Sequence, residues 1–373
     1  MPVENYQRSF TGWTEEAANE AAQAAAEADP TGIATPTVEQ PSIDGWRVFV
    51  VDAHSLIFQV FHALPEMTSP RGEPVNAVFG FTRDILQILE KKQPDAIICA
   101  LDPPGPTFRD EIYDRYKADR GEMPEELIDQ IPKIEQVLYA LAIPVISRLG
   151  YEADDVLATI ARLCDEAGAQ CFLVSGDKDC RQLITDRVAI YNIRKDEVFD
   201  AAALRDDWGI APLQVVDFQA LVGDKVDNVP GVPTIGPKTA QTWLEKYGTL
   251  DNLLAHAAEI AGAKGKKLVE NRELAVLSRE LARLDANVPL VPDWQASRIG
   301  GFDPQRLAEL FSEFGFRSFG ERFAALGGGA PSAAAATWDA NYYIVDSPEK
   351  LATLGDQVAG QPLISVDTET THV

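Results

Sequence analysis

Carboxylates stand at the ends of three short apolar runs in this sequence. Asp52, Asp102 and Asp177 each close one of these runs. Because the carboxyl ends of parallel strands meet at one edge of a sheet, we expect these acids to lie together. Further acids stand in the segments 152–155 and 224–227. The full set of candidate metal ligands is Asp52, Asp102, Glu152, Asp154, Asp155, Asp177, Asp179, Asp224 and Asp227.

Nine carboxylates in one place would repel one another unless cations neutralised them. Oxygen ligands without cysteine or histidine suit Mg²⁺ or Mn²⁺ rather than zinc. Two such ions about 4 Å apart can activate water and stabilise a leaving oxygen, which is the chemistry of phosphoryl transfer. Taken singly, each acid could equally be a helix cap or a solvated surface residue, and only their joint placement favours a metal site.

Phosphate-directed residues lie between the second and third acidic segments. Arg109, Lys117 and Arg120 supply positive charge, and Tyr116 supplies a ring that can stack on a base. The alternative for this segment is an ordinary amphipathic helix of mixed surface charge.

A glycine-containing turn follows the last acids. A helix predicted to begin at Pro237 would direct its free backbone N–H groups at a phosphate. The candidate phosphate-binding residues of this turn are Gly231, Val232, Gly236, Lys238 and Thr239.

Short apolar runs alternate with helical segments over the first half of the sequence. The runs cover residues 46–52, 96–102, 143–146 and 171–177, and their continuous hydrophobicity is typical of parallel strands buried on both faces. This alternation predicts an α/β fold with a mainly parallel sheet. Predicted helices span residues 75–91, 124–142, 154–167, 212–222, 237–247, 250–257, 271–284, 304–314 and 348–358.

The composition fits a globular chain of two or three domains, at about 150 residues per domain. The 373 residues include no apolar stretch long enough to span a membrane, and the amino terminus lacks the apolar core of a secretory signal. The four cysteines have no metal-binding spacing and are expected to be buried free thiols, which favours a reducing compartment and a cytoplasmic location.

The 33 basic and 58 acidic residues give a net charge of −25, which by itself argues against a nucleic-acid partner. Eight acids and one base in residues 1–44 account for −7, and six acids and one base in residues 328–373 account for −5. Nine of the remaining acids are the proposed metal ligands. Local basic surfaces can therefore still meet a polyanion, with weak and salt-sensitive binding when divalent ions are absent.

In order and spacing, the motifs between about residues 46 and 320 resemble the 5′-nuclease domain at the amino terminus of bacterial DNA polymerase I, a relative of the flap endonucleases. The stretches that carry the resemblance are Val50-Val51-Asp52, Leu101-Asp102, Thr107 to Glu111, Tyr116-Lys117, Glu152 to Val156, Gly176 to Asp179, Gly223 to Pro233, Gly236 and Lys238 to Ala240. Near the carboxyl terminus, Val366-Asp367-Thr368-Glu369-Thr370 is similar to the first metal-binding motif of a proofreading 3′–5′ exonuclease.

The resemblance implies a PIN-like (resolvase-like) core with a helical arch, followed by a helix-three-turn-helix subdomain. The segment with Asp367 and Glu369 is expected to be catalytically inactive, and no polymerase domain is expected in this chain. The expected boundaries are a disordered acidic tail at 1–44, the nuclease core at 45–210, the helical subdomain at 211–326, a linker at 327–337 and the incomplete start of a 3′–5′ exonuclease-like domain at 338–373.

The resemblance also implies a function, which is hydrolysis of DNA at 5′ flaps, nicked or branched duplexes and RNA primer ends by a monomer, in replication and repair. The nine acids would hold two or more Mg²⁺ or Mn²⁺ ions, with the last four at the second ion. Lys117 and Arg120 would steer the scissile phosphate, Arg109 would belong to the same catalytic set, and Tyr116 would stack on a base. The glycine-containing turn would grip duplex DNA, with a bound K⁺.

One position departs from the family pattern, because Gln59 stands where an arginine is common in the first helix. A neutral amide there favours an alternative function, a catalytically weak module that binds DNA junctions. A second alternative is an Mg²⁺-dependent phosphatase for small molecules. Such an enzyme would normally carry Asp-x-Asp after its first strand, whereas Ala53 and His54 follow Asp52 here.

Overall fold

The computed structural model describes residues 40–119, 121, 123–326 and 345–359. The described residues up to 326 belong to one compact unit, and those from 345 onwards belong to a second. The predicted acidic tail up to residue 39, the linker at 327–337 and the motif with Asp367 and Glu369 lie outside the described residues.

A six-stranded sheet forms the centre of the first unit. Its strands are β1 (Arg47–Asp52), β2 (Ala96–Ala100), β3 (Val145–Ile146), β4 (Gln170–Val174), β5 (Val188–Asn192) and β6 (Glu197–Phe199). They lie in the order β3-β2-β1-β4-β5-β6. Neighbours are parallel, except that β5 and β6 are antiparallel. This confirms the predicted mainly parallel sheet and adds β5 and β6, which the sequence pattern did not predict.

Helices cover both faces of this sheet. They are α1 (Ala53–Ala63), α2 (Asn76–Lys92), α3 (Phe108–Ile112), α4 (Glu125–Ile128), α5 (Ile131–Ala140) and α6 (Ala153–Glu166). Phe49 and Val51 enter a core shared with α1, α2 and α5. Val48 and Val50 enter a second core, shared with α6. Alternate residues of β1 thus face opposite cores, as expected for a strand buried on both faces.

The helix predicted at 124–142 is divided in two, which corrects that prediction. Helix α4 ends at Ile128 and α5 begins at Ile131. In a continuous helix, Pro132 would have no N–H to donate and its ring would collide with the Ile128 carbonyl. Upstream, the segment expected to form the arch contains the five-residue helix α3, followed by turns.

A helical lobe follows the sheet. Its helices are α7 (Ala201–Trp208), α8 (Val215–Val222), α9 (Pro237–Tyr247), α10 (Leu250–Ala255), α11 (Gly262–Glu270) and α12 (Arg272–Ala282). Their inner faces share one core, which includes Leu204, Leu221 and Leu244. Helix α9 coincides with a predicted helix and begins at Pro237, whose fixed φ and missing N–H suit the first helical position.

The chain then returns to the sheet. Helices α13 (Trp294–Ser297), α14 (Pro304–Phe314) and α15 (Arg317–Ala325) follow the lobe. Phe311 and Phe319 pack in the core that contains α1 and α2. The Phe319 ring stacks on Phe79, with ring centroids 4.9 Å apart. Helices α14 and α15 therefore belong to the sheet core, although the predicted helical subdomain at 211–326 included them.

The second unit is described over residues 345–359 and contains α16 (Pro348–Val358), as predicted. Among the described helices of the chain, none has the length and apolar character needed to cross a membrane. All four cysteines are buried and free, which confirms the prediction made for them.

Candidate metal centre and active site

Three strand ends bring their acids into one cleft. Asp52 ends β1, and Asp102 and Asp177 lie just beyond β2 and β4. With Asp154, in the first turn of α6, they line a cleft of about 460 Å³. We call these four residues the first acidic group. The order of the strands explains their meeting, because β1 lies between β2 and β4.

Burial opposes ionisation in this cleft. It raises the pKa of Asp52 to about 6, with a smaller contribution from Asp102 and Asp177. Burial and repulsion from Asp52 raise the pKa of Asp154 well above its usual range. Asp102 differs, because hydrogen bonding and charge from His54 outweigh burial and lower its pKa. A nearby cation would stabilise the charged form of buried carboxylates such as Asp52 and Asp154, whose pKa is raised.

A second acidic group adjoins the first. Asp179, Asp224 and Asp227 are buried, and their carboxylate oxygens lie within 4.8 Å of one another. The Asp179 N–H donates to Asp177 Oδ1 at 2.8 Å, which links the two groups. Burial and repulsion from Asp177 raise the pKa of Asp179 to about 7. Two adjoining groups of oxygen donors are the kind of ligand set that hard divalent cations prefer.

A tight loop presents two members of the second acidic group. Gly223 and Gly231 close the loop with φ angles of 77° and 62°. A Cβ on Gly231 would lie 2.5 Å from the Gly223 nitrogen, so only glycine lets the two backbones approach this closely. Across the loop, the Asp224 N–H donates to the Val229 carbonyl at 2.8 Å. The loop thereby fixes Asp224 and Asp227 beside the rest of their group.

Lys117 lies between the two acidic groups. Its ammonium is 2.7 Å from Glu152 Oε1 and 4.0 Å from Asp227 Oδ2, and its side chain also lines the cleft of the first group. Its φ of 53° is in the left-handed region, which is uncommon outside glycine. Its N–H donates to the Asp227 carbonyl at 3.1 Å. The backbone thus fixes a cation at the junction of the two groups.

Arg109 and Asp155 form a buried ion pair. Both side chains have no exposed surface, and Arg109 nitrogens lie 2.8 and 2.7 Å from the two Asp155 oxygens. Arg109 also donates to Glu152 Oε2 at 3.2 Å and to two backbone carbonyls. Contrary to expectation, the structure does not place Asp155 among the residues that line the cleft. It likewise places the Arg109 guanidinium inside the protein rather than where a phosphate could reach it.

Tyr116 is buried, which corrects the expectation that its ring is open to a base. The residue is 6% exposed, and its ring packs with Val229 and Leu281. Its hydroxyl donates to Glu152 Oε2 at 3.1 Å. Burial, with the nearby Glu152 charge, raises the pKa of Tyr116, so the hydroxyl stays a donor. The predicted catalytic residue Arg120 lies outside the described residues.

The glycine-containing turn is only partly open to a ligand. The N–H groups of Gly231 and Val232 each donate within the protein at 2.9 Å, so neither is available to a phosphate as predicted. Lys264 Nζ lies 2.6 Å from the Thr239 hydroxyl, which places a second lysine beside the start of α9. The predicted residues of the turn that keep exposed surface are Gly236, Lys238 and Thr239.

Further polar residues of the site were not predicted. Ser175 Oγ donates to Asp52 Oδ2 at 2.8 Å, and Lys178 Nζ lies 2.8 Å from Asp224 Oδ2 of the second acidic group. The Gln219 amide donates to Asp179. Ser175 and Lys178 adjoin predicted acids in the sequence, and that adjacency could have found them. Gln219 carries no such signal, because only the packing of α8 brings it to the site.

Two family models match consecutive parts of the chain. The 5′–3′ exonuclease N-terminal resolvase-like domain matches residues 47–209, and the 5′–3′ exonuclease C-terminal SAM fold matches residues 210–305. The chain belongs to the 5′–3′ exonuclease family. Membership confirms the resemblance drawn from the motifs, and it confirms a resolvase-like core followed by a helical subdomain.

Relatives of the chain in this family include DNA polymerases. DNA polymerase I of Rhizobium leguminosarum is 41% identical over 261 residues, which cover 68% of this chain and 26% of that protein. DNA polymerase I of Bacillus caldotenax is 37% identical over 281 residues, covering 74% of this chain and 32% of that protein. The chain thus spans between about a quarter and a third of the length of these relatives.

Solved structures share the fold. The T5 D15 protein co-crystallised with metal ions gives a TM-score of 0.56 at 20% identity, over 64% of this chain and 90% of that one. The catalytic core of Rad2 in complex with a DNA substrate gives a TM-score of 0.51 at 19% identity, over 78% of this chain and 95% of that one.

Proposed function

We propose that this chain is a metal-dependent 5′–3′ exonuclease and 5′-flap endonuclease that hydrolyses DNA phosphodiesters, as the amino-terminal nuclease of a DNA polymerase I-like protein. Its main support is the position of Lys117 at the junction of two groups of oxygen ligands. A fixed cation among metal ligands suits a phosphodiester, whose oxygens gain negative charge in the transition state. Membership of the 5′–3′ exonuclease family supports the same reaction.

The donor set fits divalent cations. Beside the three carboxylates of the second group, Gln219 offers a buried amide oxygen that has no hydrogen-bond partner among the described residues. A hard cation satisfies such an oxygen together with carboxylates. We therefore infer that Mg²⁺ or Mn²⁺ binds the two acidic groups. Asp155 and Glu152 are left out of this ligand set because the oxygens of both side chains already accept from protein donors, which are Arg109 for Asp155 and Lys117, Arg109 and Tyr116 for Glu152.

The bound ions would supply an activated water and positive charge for the leaving oxygen. The protein's own residues would position the substrate. Lys117 would donate to the phosphate, held in place by Glu152. Asp155 would act as a positioning residue, since its carboxylate accepts from the Glu152 N–H at 3.0 Å and fixes the start of α6, which also carries Asp154. Tyr116 would support Glu152 through its hydroxyl.

Substrate recognition would follow the shape of the DNA rather than its base sequence, because contacts to the backbone carry no direct sequence information. The exposed turn at the start of α9, with Lys238 and Lys264, would bind the duplex backbone, and a K⁺ ion at this turn is part of the proposal. The substrates would be 5′ flaps, nicked or branched duplexes and RNA primer ends in replication and repair. We propose a monomer that acts in the bacterial cytoplasm.

Cleavage of a 5′-flap duplex in Mg²⁺ tests the proposal. The wild-type chain is expected to release the flap, and Asp177→Asn is expected to slow release by at least about 100-fold. The matched control is Asp186→Asn, which changes an exposed acid just before β5 and should leave the rate unchanged. Equal rates for the wild type and Asp177→Asn would overturn the ligand assignment. A wild type that binds the flap without cutting it would favour the junction-binding alternative.

A further inference from the structure

A smaller cleft opens beside the first acidic group. It has a volume of about 110 Å³ and is lined by Gln59 on α1, by Ser175 and Gly176 after β4, and by residues 191–195 at the end of β5. Gly176 immediately precedes Asp177 in the sequence. The cleft is therefore adjacent to the acids that we propose as metal ligands.

Two cations and no carboxylate line this cleft. Arg194 and Lys195 line it. Arg194 and Arg83 both donate to Asp84 Oδ1, at 3.0 and 3.1 Å, so two guanidinium groups share one acid. Lys195 is exposed and forms no ion pair with any residue that the structure describes. The two charged residues that line the cleft are therefore both cations, within a chain of −25.

The walls of the cleft hold these groups in place. Asn192 Oδ1 accepts from the N–H groups of Arg194 and Lys195 at 3.0 and 3.1 Å, which fixes the turn that carries both cations. Gln59 Nε2 lies so close to Gly176 that a Cβ on this glycine would be 2.4 Å from it. The lining of the cleft thus includes a neutral amide and an ordered pair of cations.

We propose that this cleft is a phosphate subsite, in which Lys195 and Arg194 bind the sugar-phosphate backbone next to the phosphodiester that is cut. Helix α1 carries the neutral Gln59 at the position where an arginine is expected, and the turn after β5 supplies positive charge to the same cleft. A cleft of this size and charge suits a single backbone phosphate. The inference rests on the proposed function, because it assigns the subsite to the DNA strand whose phosphodiester would be cut at the first acidic group.

Binding of a 5′-flap duplex, measured by fluorescence anisotropy over a range of salt concentrations in Ca²⁺, tests the subsite. Lys195→Ala is expected to weaken binding about 3- to 10-fold and to lower the slope of log K against log salt by about 0.9, the effect of one lost phosphate contact. Gln59→Arg is expected to steepen that slope. The matched control is Arg187→Ala at the opposite end of β5, where the side chain is 53% exposed and both values should stay unchanged.

The outcomes separate the subsite from the proposed function. If Lys195→Ala matches Arg187→Ala in affinity and slope while the wild type still cuts the flap in Mg²⁺, the subsite is overturned and the nuclease function stands. If the wild type neither binds nor cuts the flap, both proposals fail. Thermal unfolding of each variant checks that a change in binding does not come from a change in folding.

Discussion

The Lys117 ammonium and the Glu152 carboxylate form an ion pair of 2.7 Å at the junction of the two acidic groups. Glu152 also accepts from Arg109 and from the Tyr116 hydroxyl. Three donors therefore surround one carboxylate, and the lysine is held before any substrate arrives. A charge that is already oriented needs little reorganisation when negative charge develops on a phosphate.

Removal of the Lys117 charge should slow the chemical step. For Lys117→Met we expect the single-turnover rate of flap cleavage to be at least about 100-fold lower than that of the wild type, because a preorganised cation is lost. Lys117→Arg, which keeps the charge, should lose less. Rapid-quench measurements at saturating enzyme would report the step directly. A rate for Lys117→Met close to that of the wild type would show that the lysine is not used in the reaction.

The Arg109–Asp155 pair should govern folding more than catalysis. Arg109→Met leaves the buried Asp155 charge without its partner, and we expect it to lower the free energy of unfolding by about 3–5 kcal/mol. Arg187→Ala removes an exposed cation 3.7 Å from Asp165 and should cost less than about 1 kcal/mol. Urea denaturation of both variants gives the comparison. A fully stable Asp155→Asn that cannot bind metal would restore Asp155 to the ligand set.

Without metal, stability should fall as the pH rises from about 4 to about 8. Burial and neighbouring carboxylates raise the pKa of Asp52 to about 6 and that of Asp179 to about 7, above the usual 3.8. In this range the folded protein binds more protons than the unfolded chain, so losing those protons costs stability.

Thermal unfolding in EDTA measures this effect. We expect the midpoint to drop by on the order of 5 °C between about pH 5 and pH 8. Mg²⁺ should reverse the drop, and the double variant Asp52→Asn with Asp179→Asn should flatten the profile. A wild-type midpoint that is constant across this range would contradict the prediction.

The glycine loop should be intolerant of a side chain. Gly231→Ala adds a Cβ 2.5 Å from the Gly223 nitrogen, so the two backbones must separate. We expect this opening of the loop to displace Asp224 and Asp227 from their positions in the second acidic group. We expect Mn²⁺ affinity, measured by calorimetry, to fall by at least about tenfold.

The control for the loop is Gly248→Ala. Gly248 also has a positive φ of 78°, but an added Cβ there would meet no atom within 4 Å. This change should cost about 1–2 kcal/mol of backbone strain and leave metal affinity unchanged. Equal losses of Mn²⁺ affinity in the two variants would mean that strain alone, rather than the close approach of the two glycines, is responsible.

Four of the six strands, several helices and most of the acids at the site could be predicted from the sequence. Strand β1 is a continuous apolar run, and α2, α9 and α14 follow local periodicity, to which Asp303 adds an N-cap at α14; both signals act within a few residues. Because parallel strands place their carboxyl ends at one edge, the meeting of Asp52, Asp102 and Asp177 followed from the strand pattern alone.

The contacts of each side chain depend on the tertiary structure. Asp154 and Asp155 are neighbours on α6, but successive helical residues point about 100° apart, so Asp154 lines the cleft while Asp155 pairs with Arg109. Gln219 reaches Asp179 from α8, 40 residues further along the chain. Such contacts depend on how separate elements pack, which no local pattern of residues encodes.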